Sequence, residues 1–155
     1  MKIKGTQPGS PEPIFCIFER GEKEFVLRVD AVYDYDEFDK IYPEPKPPTS
    51  MKPGGIKTVQ TDHPTYLTAL DKYSEARSTW MILKSLSQTE DLEWEKVSMS
   101  DPDTWKLYRE ELKEAGFTDG ELAYLLNKVV AQMGVDHEKM DQARERFTRT
   151  QVAAT

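Results

Sequence analysis

The residues able to do chemistry are few, and each set falls short of a known chemical pattern. Asp30, Asp34, Asp36, Glu37 and Asp39 crowd one stretch. Clustered carboxylates hold Ca²⁺ or Mg²⁺ when a loop turns them onto one point. An EF-hand loop opening at Asp34 requires Gly where Asp39 stands and Glu where Pro45 stands, so the cluster reads as a solvated helix face with capping duties. The two histidines, His63 and His137, lie far apart at expected helix starts, and no third spaced ligand accompanies them. Surface or capping roles are expected for both, and no metal site.

Cys16 is the single cysteine, inside the apolar run Ile14-Phe15-Cys16-Ile17-Phe18. A thiol there packs as a small hydrophobe, and burial raises its pKa and lowers its reactivity. One cysteine excludes an intrachain disulfide and a cysteine-based zinc site. No serine sits in a Gly-x-Ser-x-Gly elbow. Lys52-Pro53-Gly54-Gly55-Ile56-Lys57 has glycines and lysines without the Gly-Lys-Ser/Thr ending of a phosphate loop, and reads as a turn. Neither a catalytic site nor a cofactor is expected.

A binding role is better served. Pro45-Lys46-Pro47-Pro48 contains a PxxP pattern, although a rigid spacer is its commoner use. Tyr33, Tyr35 and Tyr42 flank it, and tyrosine stacked on proline suits a partner surface. Trp80, Trp94 and Trp105 read first as core. Trp94, in an unpatterned stretch, joins Tyr33, Tyr35, Tyr42, Pro45, Pro47 and Pro48 as a candidate partner-binding residue.

The elements that position these residues follow from patterning. The chain has 155 residues and a net charge of -7, with 37% apolar and 32% charged residues. Such a length supports one core without staples. Sixteen aromatic residues (three Trp, seven Tyr, six Phe) argue against general disorder. The acidic balance disfavours nucleic acid, and Arg144, Arg146 and Arg149 read as a solvated helix face. No run approaches the ~20 apolar residues of a membrane span. Residues 1–5 lack a signal-peptide stretch, so a cytoplasmic protein is expected.

Residues 1–13, rich in Gly and Pro, form a loose leader. From Pro13 to Val32, two alternating runs around Arg20-Gly21-Glu22-Lys23 predict a β-hairpin. A lone hairpin is marginal in water, so it packs on the helices, finds a third strand or self-associates. Tyr33 to Tyr42 predicts a short helix, with Asp34 or Asp36 as cap. Residues 43–62, Pro- and Gly-rich, predict a long extended connection.

Helices follow. The first opens at His63-Pro64 and carries the stripe Tyr66, Leu67, Leu70, Tyr73, Ala76, Trp80, Leu83, Leu86. Thr89 to Val97 is ambiguous, and Leu92, Trp94 and Val97 fit an irregular loop that seats a Trp in the core. Ser100-Asp101-Pro102 starts the next, and Ala115-Gly116 ends it. Thr118-Asp119-Gly120-Glu121 is a capping box for a helix burying Leu122, Leu125, Leu126, Val129, Val130 and Met133. A last helix, capped by Asp136, carries Met140, Ala143 and Phe147 and frays after Thr148. The expectation is an α+β fold: an N-terminal β-hairpin or small sheet (1–42), the connection (43–62), and a C-terminal bundle of three to four helices (63–150), in one compact domain.

Several blocks resemble a recurring protein of tailed bacteriophages: Tyr35-Asp36-Glu37-Phe38 through Pro43-Glu44-Pro45-Lys46-Pro47-Pro48, Lys52-Pro53-Gly54-Gly55, Trp80-Met81-Ile82-Leu83-Lys84-Ser85-Leu86, Leu92-Glu93-Trp94-Glu95, Asp101-Pro102-Asp103-Thr104-Trp105 and Glu114-Ala115-Gly116-Phe117. Together they cover nearly the whole chain, which is similar to siphophage tail assembly chaperones. The resemblance implies a protein of the host cell cytoplasm that coats the helical tape-measure protein and helps tail-tube subunits polymerise, with no catalytic residues. The alternatives are a tail structural or connector protein that stays in the virion, and a phage-encoded inhibitor of a host defence protein whose acidic face mimics nucleic acid.

Overall fold

A computed structural model of the chain describes residues 1–134 and 137–153, the last segment from residue 140 onward with its side chains. It opens on the expected hairpin: β1 (Ile14–Arg20) pairs antiparallel with β2 (Lys23–Val29), Cys16 facing Leu27 and Phe18 facing Phe25. Arg20 pairs with Lys23, leaving the two-residue turn Gly21-Glu22. Gly21 has φ 63° and Glu22 has negative φ, the type II′ arrangement whose twist matches that of the strands. One hairpin face buries Cys16, Phe18, Leu27 and Val29, while Phe15, Ile17 and Val26 face outward and are exposed.

The leader stays outside the core, with one bridge between Ile3 and Thr6, but its end is tied down: Gln132 Nε2 donates to the Glu12 carbonyl at 2.6 Å. Helix α1 (Asp36–Ile41) is shorter than the sequence suggests; its N-cap residue is Tyr35, without a side-chain cap bond, and Asp34, one residue earlier, accepts from the Asp36 N–H at 3.1 Å.

Residues 43–62 differ from the expected extended connection. They contain a second antiparallel hairpin, β3 (Thr49–Lys52) and β4 (Ile56–Val59), closed at Pro53-Gly54-Gly55. Strands of only four residues, Thr-Ser-Met-Lys and Ile-Lys-Thr-Val, carry little periodic signal, and both glycines take the positive φ that the turn demands (93° and 78°). No residue of this hairpin is buried.

Helix α2 (Pro64–Leu86) buries Trp80, Leu83, Ser85 and Leu86, and Leu67 near its start is exposed. The apolar stripe therefore meets the core from Tyr73 onward, and its fully buried residues lie in the last two turns. Residues 89–97 form no helix. Asp101 caps a 3₁₀ helix (Pro102–Leu107), and α3 (Tyr108–Glu114) follows it directly, so the single expected helix is two elements. Gly116 (φ 102°) ends α3, with the Phe117 N–H donating to the Leu112 carbonyl at 3.0 Å. The capping box at Thr118 and Glu121 is complete and opens α4 (Asp119–Gln132). Leu122, Leu125 and Val129 are buried there, whereas Val130 is 45% exposed, off the expected face. Helix α5 (His137–Ala153) remains helical past Thr148, and its side chains from residue 140 on are exposed. Asp136, expected to cap it, lies outside the described residues, as does the side chain of His137.

The fold is α+β, and one core joins the hairpin to the helices. Phe38 sits at its aromatic centre, 5.4–6.0 Å between ring centroids from Tyr42, Tyr73, Trp80 and Trp105.

Candidate functional site

An apolar cleft lies beside β2. It has a volume of about 550 Å³ and is lined by Glu24–Leu27, residues 89–94, and Glu111, Leu112, Ala115 and Phe117. Its position follows from the end of α2. Helix α2 runs out against the outer edge of β2, where the Ser85 carbonyl accepts from the Asp30 N–H at 2.9 Å. Thr89 Oγ1 accepts from the Arg28 N–H at 3.0 Å and donates to the Arg28 carbonyl at 3.2 Å. A threonine hydroxyl thus stands in for a neighbouring strand. Asp91 then takes φ 56°, and the chain turns away from the strand towards α3. The gap left between them is the cleft.

Its apolar walls are Phe25, Leu92, Trp94, Leu112 and Phe117; its rim carries Glu24, Glu90, Asp91, Glu93 and Glu111, and among the described residues no lysine or arginine lines it. Glu111 is already engaged, because its carboxylate accepts from the Glu95 and Lys96 N–H groups and holds the loop to α3. Lys96 points to Glu114 (2.8 Å) and Glu110 (3.5 Å), and the hydrogen bond to Glu114 is the main cause of its raised pKa.

The seven residues expected to bind a partner are not brought together. Trp94 lies half-buried in the cleft. Tyr35 is held in the core, with the Arg77 guanidinium 3.9 Å from its ring centroid and Trp80 behind it at 5.7 Å. Tyr42 stacks on Phe38 with the ring centroids 5.8 Å apart and the rings nearly parallel. These two tyrosines are half-buried against the α1 side of the core. Tyr33 is 70% exposed in a shallow depression with Asp34, Glu37 and Lys84. Pro45 and Pro48 line a separate cleft of about 300 Å³ with His63, Tyr66 and Ala69, and Pro47 is half-buried. The cleft beside β2 went unrecognised in sequence, because its members come from three elements far apart in the chain. The one local signal was the density of acids around Leu92 and Trp94.

The other chemistry-bearing groups are dispersed. Asp30 pairs with Arg28 at 3.0 Å, Glu37 with Lys84 at 2.9 Å, and Asp39 accepts from the Tyr73 hydroxyl at 3.3 Å. His63 caps α2, its Nδ1 accepting from the Thr65 N–H at 3.3 Å. Cys16 is buried, and desolvation pushes its thiol pKa up, against a smaller lowering by Lys128. Among the described residues, no group of three His, Cys, Asp or Glu side chains is placed to hold a metal ion, and no helix is long and apolar enough to cross a membrane.

No protein-family model, curated protein or solved structure matches the chain.

Proposed function

We propose that this protein is a non-enzymatic binding protein, and that it serves as a phage tail assembly chaperone whose client is the tape-measure or tail-tube protein. The observation that carries the binding role is the cleft beside β2, apolar within and ringed by carboxylates. An open apolar cleft with a charged rim suits a protein partner, the apolar part supplying affinity and the rim selecting the partner's charge. The client follows from the resemblance of the sequence blocks. Two of those blocks, Leu92–Glu95 and Glu114–Phe117, contribute walls to the cleft.

The test is recovery of the tagged protein from phage-infected cells at moderate salt, with its companions identified by mass spectrometry. Tape-measure or tail-tube protein as main partner, and absence of this chain from finished particles, is the expected result. A host nuclease or defence factor as main partner overturns the tail reading and favours the inhibitor. A second reading, a virion connector, draws on the exposed outer face of the hairpin at Phe15, Ile17 and Val26. It requires the chain to remain in particles.

A further inference from the structure

The cleft beside β2 contains more than an apolar surface. In an antiparallel pair, residues alternate between those whose N–H and C=O point to the partner strand and those whose groups point away. The two-residue turn makes Arg20 and Lys23 a hydrogen-bonded pair, so Glu24, Val26 and Arg28 present their backbone groups to the outer edge of β2. The bonds of Arg28 to Thr89 Oγ1 fix that assignment. Thr89 and Ser85 cover the edge at Arg28 and Asp30. Among the described residues, nothing covers it at Glu24 and Val26, which line the cleft.

Charge adds a second constraint. On the outer face of the hairpin Glu24 stands directly opposite Glu19, and neither carboxylate has an ion-pair partner among the described residues. Like charges across a strand pair are destabilising. With Glu90, Asp91 and Glu93 on the same rim, the cleft is ringed by negative charge.

We infer that the cleft receives an extended segment of a partner protein, which adds to β2 as an antiparallel third strand at Glu24–Val26. The pairing dictates the chemistry of the segment. Its residue opposite Val26 shares the outer face with Val26 and Ile17 and is aliphatic. Its residue opposite Phe25 points inward onto Leu92, Trp94, Leu112 and Phe117 and is a large apolar anchor. Its residue opposite Glu24 is lysine or arginine. Main-chain bonds then give affinity and the alternating side chains give selectivity. The inference rests on the binding role proposed above and is independent of the client's identity.

The probe is the peptide acetyl-Lys-Val-Phe-Lys-Lys-amide, titrated into the full-length ¹⁵N-labelled protein. Shifts at the amides of Glu24–Leu27 and at the Trp94 indole are expected, weakening as salt rises. Paired residues opposite Val26 and Glu24 exchange N–H bonds with β2, whereas the N–H of the residue opposite Phe25 points away. N-methylation of the peptide's Val is therefore expected to weaken binding on the order of tenfold, and N-methylation of its Phe to leave it nearly unchanged. Exchange of the peptide's lysines for glutamates, or Glu24→Lys in the protein, abolishes the shifts.

Equal effects of the two N-methyl groups overturn strand addition, and shifts confined to another surface overturn the site. Binding of the peptide without recovery of tape-measure or tail-tube protein from cells sinks the tail reading and leaves this inference standing. Recovery of that client unaffected by Glu24→Lys, with no peptide binding, sinks this inference alone.

Discussion

Arg20, the last residue of β1, grips Glu121 in the first turn of α4 through two hydrogen bonds, NH2 to Oε1 at 2.7 Å and NH1 to Oε2 at 3.0 Å. Glu121 is at the same time the carboxylate of the α4 capping box, accepting from the Thr118 N–H at 3.1 Å. Arg20 also donates to the Gly116 carbonyl at the end of α3 (3.2 Å), and its guanidinium lies over Phe117. One guanidinium thus clamps the turn end of the hairpin to the corner between two helices. Fork-on-fork geometry of this kind holds orientation as well as charge.

The clamp makes stability depend on pH in a predictable direction. The Arg20 hydrogen bonds, then the Thr118 backbone, hold the Glu121 carboxyl below its ordinary pKa. A depressed acid stabilises the fold above its unfolded pKa, and that contribution is lost as pH falls through the folded value. Glu121→Gln is therefore expected to lower the urea midpoint at pH 7 and to shrink the drop between pH 7 and pH 3. A variant whose acid drop equals that of the wild type would show that Glu121 is not among the groups that set it.

Thr89 is expected to matter more than an exposed loop threonine should. Its hydroxyl satisfies both backbone groups of Arg28 at the covered end of β2. Thr89→Val keeps the shape and strands those groups, at a cost of about 1–3 kcal/mol. Thr89→Ser keeps the hydroxyl and is expected to lose much less. Chemical denaturation of the two variants side by side gives the comparison.

Thr89 also marks where sequence reasoning stops. The hairpin, its Gly21 turn, the Thr118 capping box and the buried end of α2 were legible because each is written in local spacing: period two, period three to four, or a cap and its partner three residues on. What escaped was long-range. Thr89 and Arg28 are 61 residues apart, and no periodicity announces that a hydroxyl will complete a strand edge. Tyr35 and Tyr42 make the related point that a half-buried tyrosine and a surface tyrosine look alike in sequence. Their neighbours Arg77 and Phe38 decide the matter. The β3–β4 hairpin was hidden by strands too short and too polar to show alternation.

Phe38 is expected to be the costliest single truncation in the front half. It is fully buried and packs against four aromatic rings, from Tyr42 just after α1, from Tyr73 and Trp80 of α2 and from Trp105 of the 3₁₀ helix. Phe38→Ala removes a ring from a site whose large neighbours cannot collapse into the space, so about 3–5 kcal/mol is lost. That is a large share of the ~5–15 kcal/mol of a typical domain. Phe38→Leu, which keeps most of the volume, is expected to lose markedly less in thermal unfolding.

Cys16 offers a way to ask whether the hairpin opens with the rest of the chain. It faces Leu27 on the buried side of β1, and burial raises its thiol pKa, so both the accessible and the thiolate fractions are small in the folded state. Reaction with a disulfide reagent at pH 8 is expected to be slow in buffer and fast in urea. Where reclosing outruns labelling, the rate reports the equilibrium population of the open form. If the hairpin and helices open as one unit, Thr89→Val should speed labelling by roughly one to two orders of magnitude, the population change that about 1–3 kcal/mol represents. Phe38→Ala, on the far side of the same core, should speed it further still. Labelling that responds to Thr89→Val but ignores Phe38→Ala would mean that the hairpin detaches alone. The Arg20–Glu121 clamp would then be a hinge contact rather than part of one cooperative core.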